Sequence, residues 1–163
     1  MNRHLFEFRL TEIRKLIEEL GDVSKASELL DPLLVKRDPE ALYWRSTFSL
    51  KEQETAAEFE SRRIRMLMES AISDFPPALF ALGVMFQSGD TVPKDEVRSS
   101  FYFRNAAIGG WPEAKFRHGL NLFYGSNGIN KDEVLGLALI EEAARDGVEA
   151  AKDRLDELRS GFR

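Results

Sequence analysis

The sequence predicts an all-α protein: a right-handed α-α superhelix, or solenoid, of helix-turn-helix repeats, with N-terminal helices before the repeats and a C-terminal capping helix after them. Three observations carry that expectation. Ser70-Ala71-Ile72-Ser73-Asp74-Phe75-Pro76-Pro77-Ala78 recurs as Ala106-Ala107-Ile108-Gly109-Gly110-Trp111-Pro112-Glu113-Ala114 at an offset of 36 residues. With one extra residue in the second loop, Val92-Pro93-Lys94-Asp95-Glu96-Val97 falls on Ile129-Asn130-Lys131-Asp132-Glu133-Val134. Outside these copies, apolar residues still recur at helical spacing.

Residues 1–38 read as N-terminal helices. Leu5, Phe6, Leu10, Ile13, Leu16, Ile17 and Leu20 keep helical spacing and stop at Gly21. Ser24 is placed to cap a further helix through Leu30. Residues 39–75 form a degenerate repeat. Ala41 keeps its place, but Arg45 and Ser46 stand where the next copy has Leu82 and Gly83, and the glycine loop is gone. Glu54 to Ala71 nevertheless makes a long helix with Phe59, Ile64, Leu67 and Ala71 on one face.

Residues 76–112 and 113–148 are the two full repeats. Pro76 and Pro112 suit a first helical turn, where a missing N–H costs nothing. Gly89 and Gly125 can end that helix in a left-handed backbone. Asp95 and Asp132 then cap a second helix, each followed by a glutamate in the first turn. The second helices end near Gly109-Gly110 and Asp146-Gly147, and the pairs Ala106-Ala107 and Ala143-Ala144 allow close helix approach. Residues 149–163 hold an amphipathic capping helix. No linker or low-complexity stretch interrupts residues 1–163, so one domain is expected.

This set of residues resembles the Sel-one-like repeat, a relative of the tetratricopeptide repeat. Ala78, Leu82, Gly83, Phe86, Gly89, Val92, Asp95, Tyr102, Ala106, Ala107, Gly110 and Ala114 fill the first copy. Ala114, Gly119, Leu122, Gly125, Gly128, Ile129, Asp132, Leu139, Ala143, Ala144, Gly147 and Ala151 fill the second. The second copy departs at His118, where the family has leucine, and at Leu139, where it has tryptophan. The resemblance implies a helical solenoid that binds other proteins as an adaptor, scaffold or regulator. It also implies kinship with short cytoplasmic bacterial immunity proteins that neutralise toxins.

Bulk chemistry narrows the function further. A net charge of −5 argues against a nucleic-acid backbone or an anionic membrane as the main partner. With no cysteine there is no disulfide, thiolate nucleophile or cysteine-ligated zinc. Arg3, Glu7 and Arg9 break up the apolar N-terminal stretch, so no secretory signal is expected and the location is expected to be cytoplasmic. No segment approaches the roughly 20 apolar residues of a membrane span.

A search for catalysis finds no constellation. His4 and His118 are far apart in sequence, and His118 reads as a partly buried side chain bonded to the backbone rather than a general base. Tyr124-Gly125-Ser126-Asn127-Gly128 lacks the lysine ending of a phosphate loop and is explained as an inter-helix turn. Asp95-Glu96 and Asp132-Glu133 are explained by helix capping. Arg62, Arg63 and Arg65 read as a solvated helical face. No enzyme activity, metal, cofactor or small-molecule substrate is expected.

A partner would meet the first helix of each unit, the wall that such solenoids turn inward. Away from the repeat positions, that helix presents Phe80, Ala81 and Val84 in one unit, Phe116, Arg117 and Leu120 in the next, and Tyr43, Trp44 and Thr47 in the one before. Tyr43, Phe80 and Phe116 repeat an aromatic at one position. Either these rings pack between neighbouring helices, or they stand exposed as interface anchors. The function expected is protein binding. Its concrete form is an inhibitor that captures a basic toxin by electrostatic steering, with an adaptor as the alternative and an enzyme with a cryptic site as a third, weaker one.

Overall fold

The computed structural model describes residues 11–50 and 54–161. His4, Leu5, Phe6 and Leu10 lie outside the described residues. Among the described residues the architecture is all-α, with helices packed as sequential pairs. No described helix is long and apolar enough to cross a membrane. The chain gathers into two compact units, Met1–Ala78 and Leu79–Arg163.

In the first unit, α1 is helical over residues 11–15 and continues into a π-helical turn, Leu16–Leu20. Gly21 ends it at φ 65°, a left-handed conformation that glycine adopts without steric cost. The next helix, α2, spans Val23–Leu34. Its cap is Asp22, whose carboxylate accepts from Lys25 N at 3.1 Å; Ser24, the expected cap, lies inside the helix. Nor does α2 stop at Leu30, because Pro32 sits on the exposed face and the helix tolerates the one lost N–H. Asp38 caps α3, Pro39–Ser46, by accepting from Ala41 N at 2.9 Å. Ile13, Leu16, Ala26, Leu30, Leu33, Ala41, Trp44 and Phe48 make the core of this unit.

The long helix expected from Glu54 begins two residues later. Thr55 and Glu58 form a reciprocal capping box ahead of α4, Ala56–Ile72. Glu54 is thereby freed for another task. Arg62 donates to both Glu54 carboxylate oxygens, at 2.9 and 2.7 Å, and to the carbonyls of Arg45 and Phe48 at 2.6 and 3.0 Å. The side chains of Arg62 and Glu54 are only 13% and 11% exposed, so Arg62 is not part of a solvated face. This clamp holds the connection that the missing glycine loop shapes in the full repeats. Arg63 does pair at the surface with Glu60, and Arg65 is exposed.

Helix α5, Pro76–Ser88, contributes its residues from Leu79 onward to the second unit. It is followed by α6, Glu96–Ile108; α7, Pro112–Tyr124; α8, Glu133–Arg145; and α9, Glu149–Gly161. Asp95 and Asp132 cap α6 and α8, accepting from Arg98 N at 2.8 Å and Leu135 N at 2.9 Å. Close approach sets the pairing. A methyl group on Gly83 would lie 2.6 Å from the Phe103 ring, and one on Gly119 would lie 2.9 Å from the Gly136 carbonyl. Ser99 Oγ ties α6 to α5 by donating to Gly83 O at 2.7 Å. Lys115 ties α7 to α8 through Asp146 at 2.8 Å and Glu142 at 3.3 Å, and these carboxylates raise its pKa.

Candidate partner-binding site

The nine residues singled out on the first helices divide between the units. Tyr43 and Trp44 on α3, and Thr47 just after its end, are in the first. Phe80, Ala81 and Val84 on α5, with Phe116, Arg117 and Leu120 on α7, are in the second.

The aromatic position has the same surroundings in each copy. Tyr43 packs against Phe75, ring centroids 5.7 Å apart; Phe80 packs against Trp111 at 6.3 Å and Phe103 at 5.6 Å. Phe116 and Val148 lie on one apolar cluster built from Ile140, Ala143, Ala151 and Leu155. Phe75, Trp111 and Val148 are equivalent residues, each at the turn that leads into the next first helix. All three aromatics are half-buried, and their rings act as packing between helices.

Trp44 is 9% exposed. Trp44, placed by the sequence on the partner-facing side, is instead turned inward: its ring joins the first core, and Nε1 donates to Glu40 at 3.2 Å. Thr47 is exposed, but its hydroxyl donates to Trp44 O at 2.7 Å. In the second unit Ala81 and Leu120 are half-buried, whereas Val84 and Arg117 are open to solvent. A partner approaching this face would touch Val84 and Arg117, on a backing fixed by Phe80 and Phe116.

His118 is buried on α7, at the place where the family carries leucine. Among the described residues its Nδ1 finds no hydrogen-bond partner, in place of the expected bond to the backbone. Burial first, and the Arg104 charge second, push its pKa below the usual imidazole value. A neutral, enclosed imidazole of this kind is poorly placed as a surface general base. Asn121 is the polar residue that sequence patterning missed. Its Nδ2 donates to Ser100 Oγ at 2.7 Å, and its Oδ1 accepts from Asn127 at 3.0 Å and Ser126 at 3.3 Å. These bonds fix the glycine-containing run 124–128 as a structural turn. Among the described residues no group of three or more histidine, aspartate and glutamate side chains is placed to hold a metal ion.

Exposed apolar side chains are concentrated on the second helices: Met68 and Ile72 on α4, Val97, Phe101 and Ile108 on α6, Val134 and Leu135 on α8. Ile72 and Ile108, and Val97 and Val134, match between copies, and the match does not reveal that these side chains face outward.

Comparison with known proteins supplies the family context. The family model described as Sel1 repeat matches residues 76–111 and 112–148. A Sel1 repeat protein from Oxalobacter formigenes is similar at 32% identity and TM-score 0.69, over 78% of this chain and 95% of that one. A protective antigen of uropathogenic Escherichia coli with an SLR fold is similar at 22% identity and TM-score 0.64, over 76% of this chain and 26% of that one. Helicobacter pylori cysteine rich protein B is similar at 18% identity and TM-score 0.58, over 81% of this chain and 93% of that one. The last two likenesses show the fold alone, and the chain spans about a quarter of the antigen's length. No curated protein matches significantly.

Proposed function

The chain belongs to the Sel1 repeat family, and from that premise we propose that it is a non-enzymatic protein-binding module that neutralises a toxin through the first-helix face of its second unit. One observation carries the choice of face: Val84 and Arg117 stand open beside Phe80 and Phe116, whose rings are held by packing on both helices. A surface fixed before binding loses little side-chain entropy when a partner arrives. The overall charge of −5 speeds the capture of a basic partner. A cytoplasmic setting belongs to the same proposal.

The test is co-expression with each toxic gene product encoded beside it in the native host. Rescue of growth by the wild type, lost with Val84→Glu or Arg117→Glu, supports the inhibitor. Rescue by none of them contradicts it. A second reading, an adaptor that joins two partners, is favoured by the apolar side chains that also stand open on α6.

A further inference from the structure

The outward face of α6 has the chemistry of a docking surface separate from the first-helix face. Val97, Phe101, Arg104 and Ile108 follow one another by four, three and four residues. At 100° per residue they fall within about 60° of arc, a single stripe along the helix. The opposite side, Ser99, Ser100, Phe103, Ala106 and Ala107, is buried. On the stripe, Val97 is 63% exposed, Phe101 58% and Ile108 73%. Single exposed apolar residues are ordinary, but three on one stripe of one helix make a continuous apolar ridge.

The centre of this ridge is rigid. Phe101 meets Tyr102 edge-on at 5.6 Å, and Tyr102 stacks on Phe86 of α5 at 5.6 Å with the planes 11° apart. A backed aromatic of this kind loses little freedom when covered.

Charge identifies the occupant. After Glu96, which pairs with Lys94, the exposed positions of α6 carry no carboxylate. They carry two arginines. Arg98 lies over the Phe86 ring at 4.9 Å and keeps a long 3.8 Å pairing with Asp95, whereas Arg104, on the stripe itself, makes no ion pair among the described residues. In a chain of net charge −5, this face is a cationic exception. We propose that it binds an amphipathic α-helix of a partner protein, one whose apolar stripe is flanked by carboxylates that meet Arg104 and Arg98. A helix suits it because a ridge at four- and three-residue steps fits the groove between the ridges of another helix.

The probe is a stapled helical peptide with a leucine stripe flanked by glutamates, titrated with the full chain and followed by fluorescence anisotropy. Saturable binding is expected, weakened at least tenfold by Phe101→Ser and by Arg104→Glu, and unchanged by Val134→Ser on α8. Exchanging the peptide glutamates for lysines is expected to abolish it. Phe101 and Arg104 are exposed, so both variants keep the fold, which the thermal melt verifies. No saturable binding, equal binding of the lysine peptide, or equal loss with Val134→Ser overturns the proposal. So does sedimentation with anionic phosphatidylserine vesicles without peptide binding, which would make the face a membrane contact.

Discussion

Arg62 and Glu54 form a two-bonded ion pair that also fastens two main-chain carbonyls, those of Arg45 and Phe48. The connection between α3 and α4 has no glycine to turn on, so a side chain from the following helix holds it instead. Arg62→Ala removes the cation bonded to Glu54 and leaves that carboxylate and the Arg45 carbonyl without it, while Arg45 still donates to the Phe48 carbonyl at 3.1 Å. A loss of about 3 kcal/mol is expected from such a one-sided removal. Urea unfolding followed by the fluorescence of Trp44, in the same unit, reads it, and a loss below about 0.5 kcal/mol would show the clamp to be idle.

The same pair makes acid stability readable. Its hydrogen bonds with Arg62 hold the Glu54 carboxyl down to about 2, well below its unfolded value. A depressed carboxyl pKa contributes stability that is complete above the unfolded value and is lost as pH falls toward the folded one. Between pH 4.5 and about 2 the wild type is therefore expected to lose more stability than Glu54→Gln does. Parallel loss in the two proteins would contradict this.

His118 titrates in a higher window. Its folded pKa is lowered from the ordinary 6.5, so the unfolded chain binds the proton more readily and stability falls as pH drops below that value. His118→Leu restores the repeat residue and removes a buried nitrogen that lacks a partner. A gain of about 1 kcal/mol at pH 7 is expected. Melts at pH 7 and pH 5 should differ less in the variant than in the wild type.

Gly119→Ala sets two effects against each other. Helix propensity favours alanine over glycine by about 1 kcal/mol. The added methyl, however, would sit 2.9 Å from the Gly136 carbonyl and 3.0 Å from Ile140, where the backbone of α8 has to move. Overpacking of this kind costs about 2 kcal/mol, so net destabilisation is expected in a thermal melt.

Phe116→Ala and Val84→Ser separate packing from recognition. Phe116 lies on the Ile140 cluster, and its loss is expected to cost about 3 kcal/mol. Val84 is exposed, and Val84→Ser is expected to stay within about 0.5 kcal/mol of the wild type. Equal melting temperatures for both variants would mean that Phe116 does not hold the helices together.

The repeat was legible because its signals are local: Pro112, Asp95, Asp132 and Gly125 act on their own turns, and each sits where the spacing put it. Local signals also misled. Ser24 and Asp22 are both good caps, and only the choice of first turn decides between them. Arg62 looked like a surface charge because its partner lies eight residues away, across a connection with no sequence pattern. The periodicity of Tyr43, Phe80 and Phe116 was visible, but their exposure depended on Phe75, Trp111 and the Ile140 cluster, residues about 24 to 39 positions further on. Val97 and Ile108 on α6 stand at positions that match across the repeat, but a match between copies does not tell an outward side chain from an inward one.

The most direct test of a protein-binding function on the first-helix face is quantitative affinity purification of the tagged chain from its native host, in parallel with Val84→Glu and Arg117→Glu. One partner recovered in equal amount with the wild type, and lost with both variants, is the predicted result. A partner retained by both variants, or no stoichiometric partner at all, would contradict it.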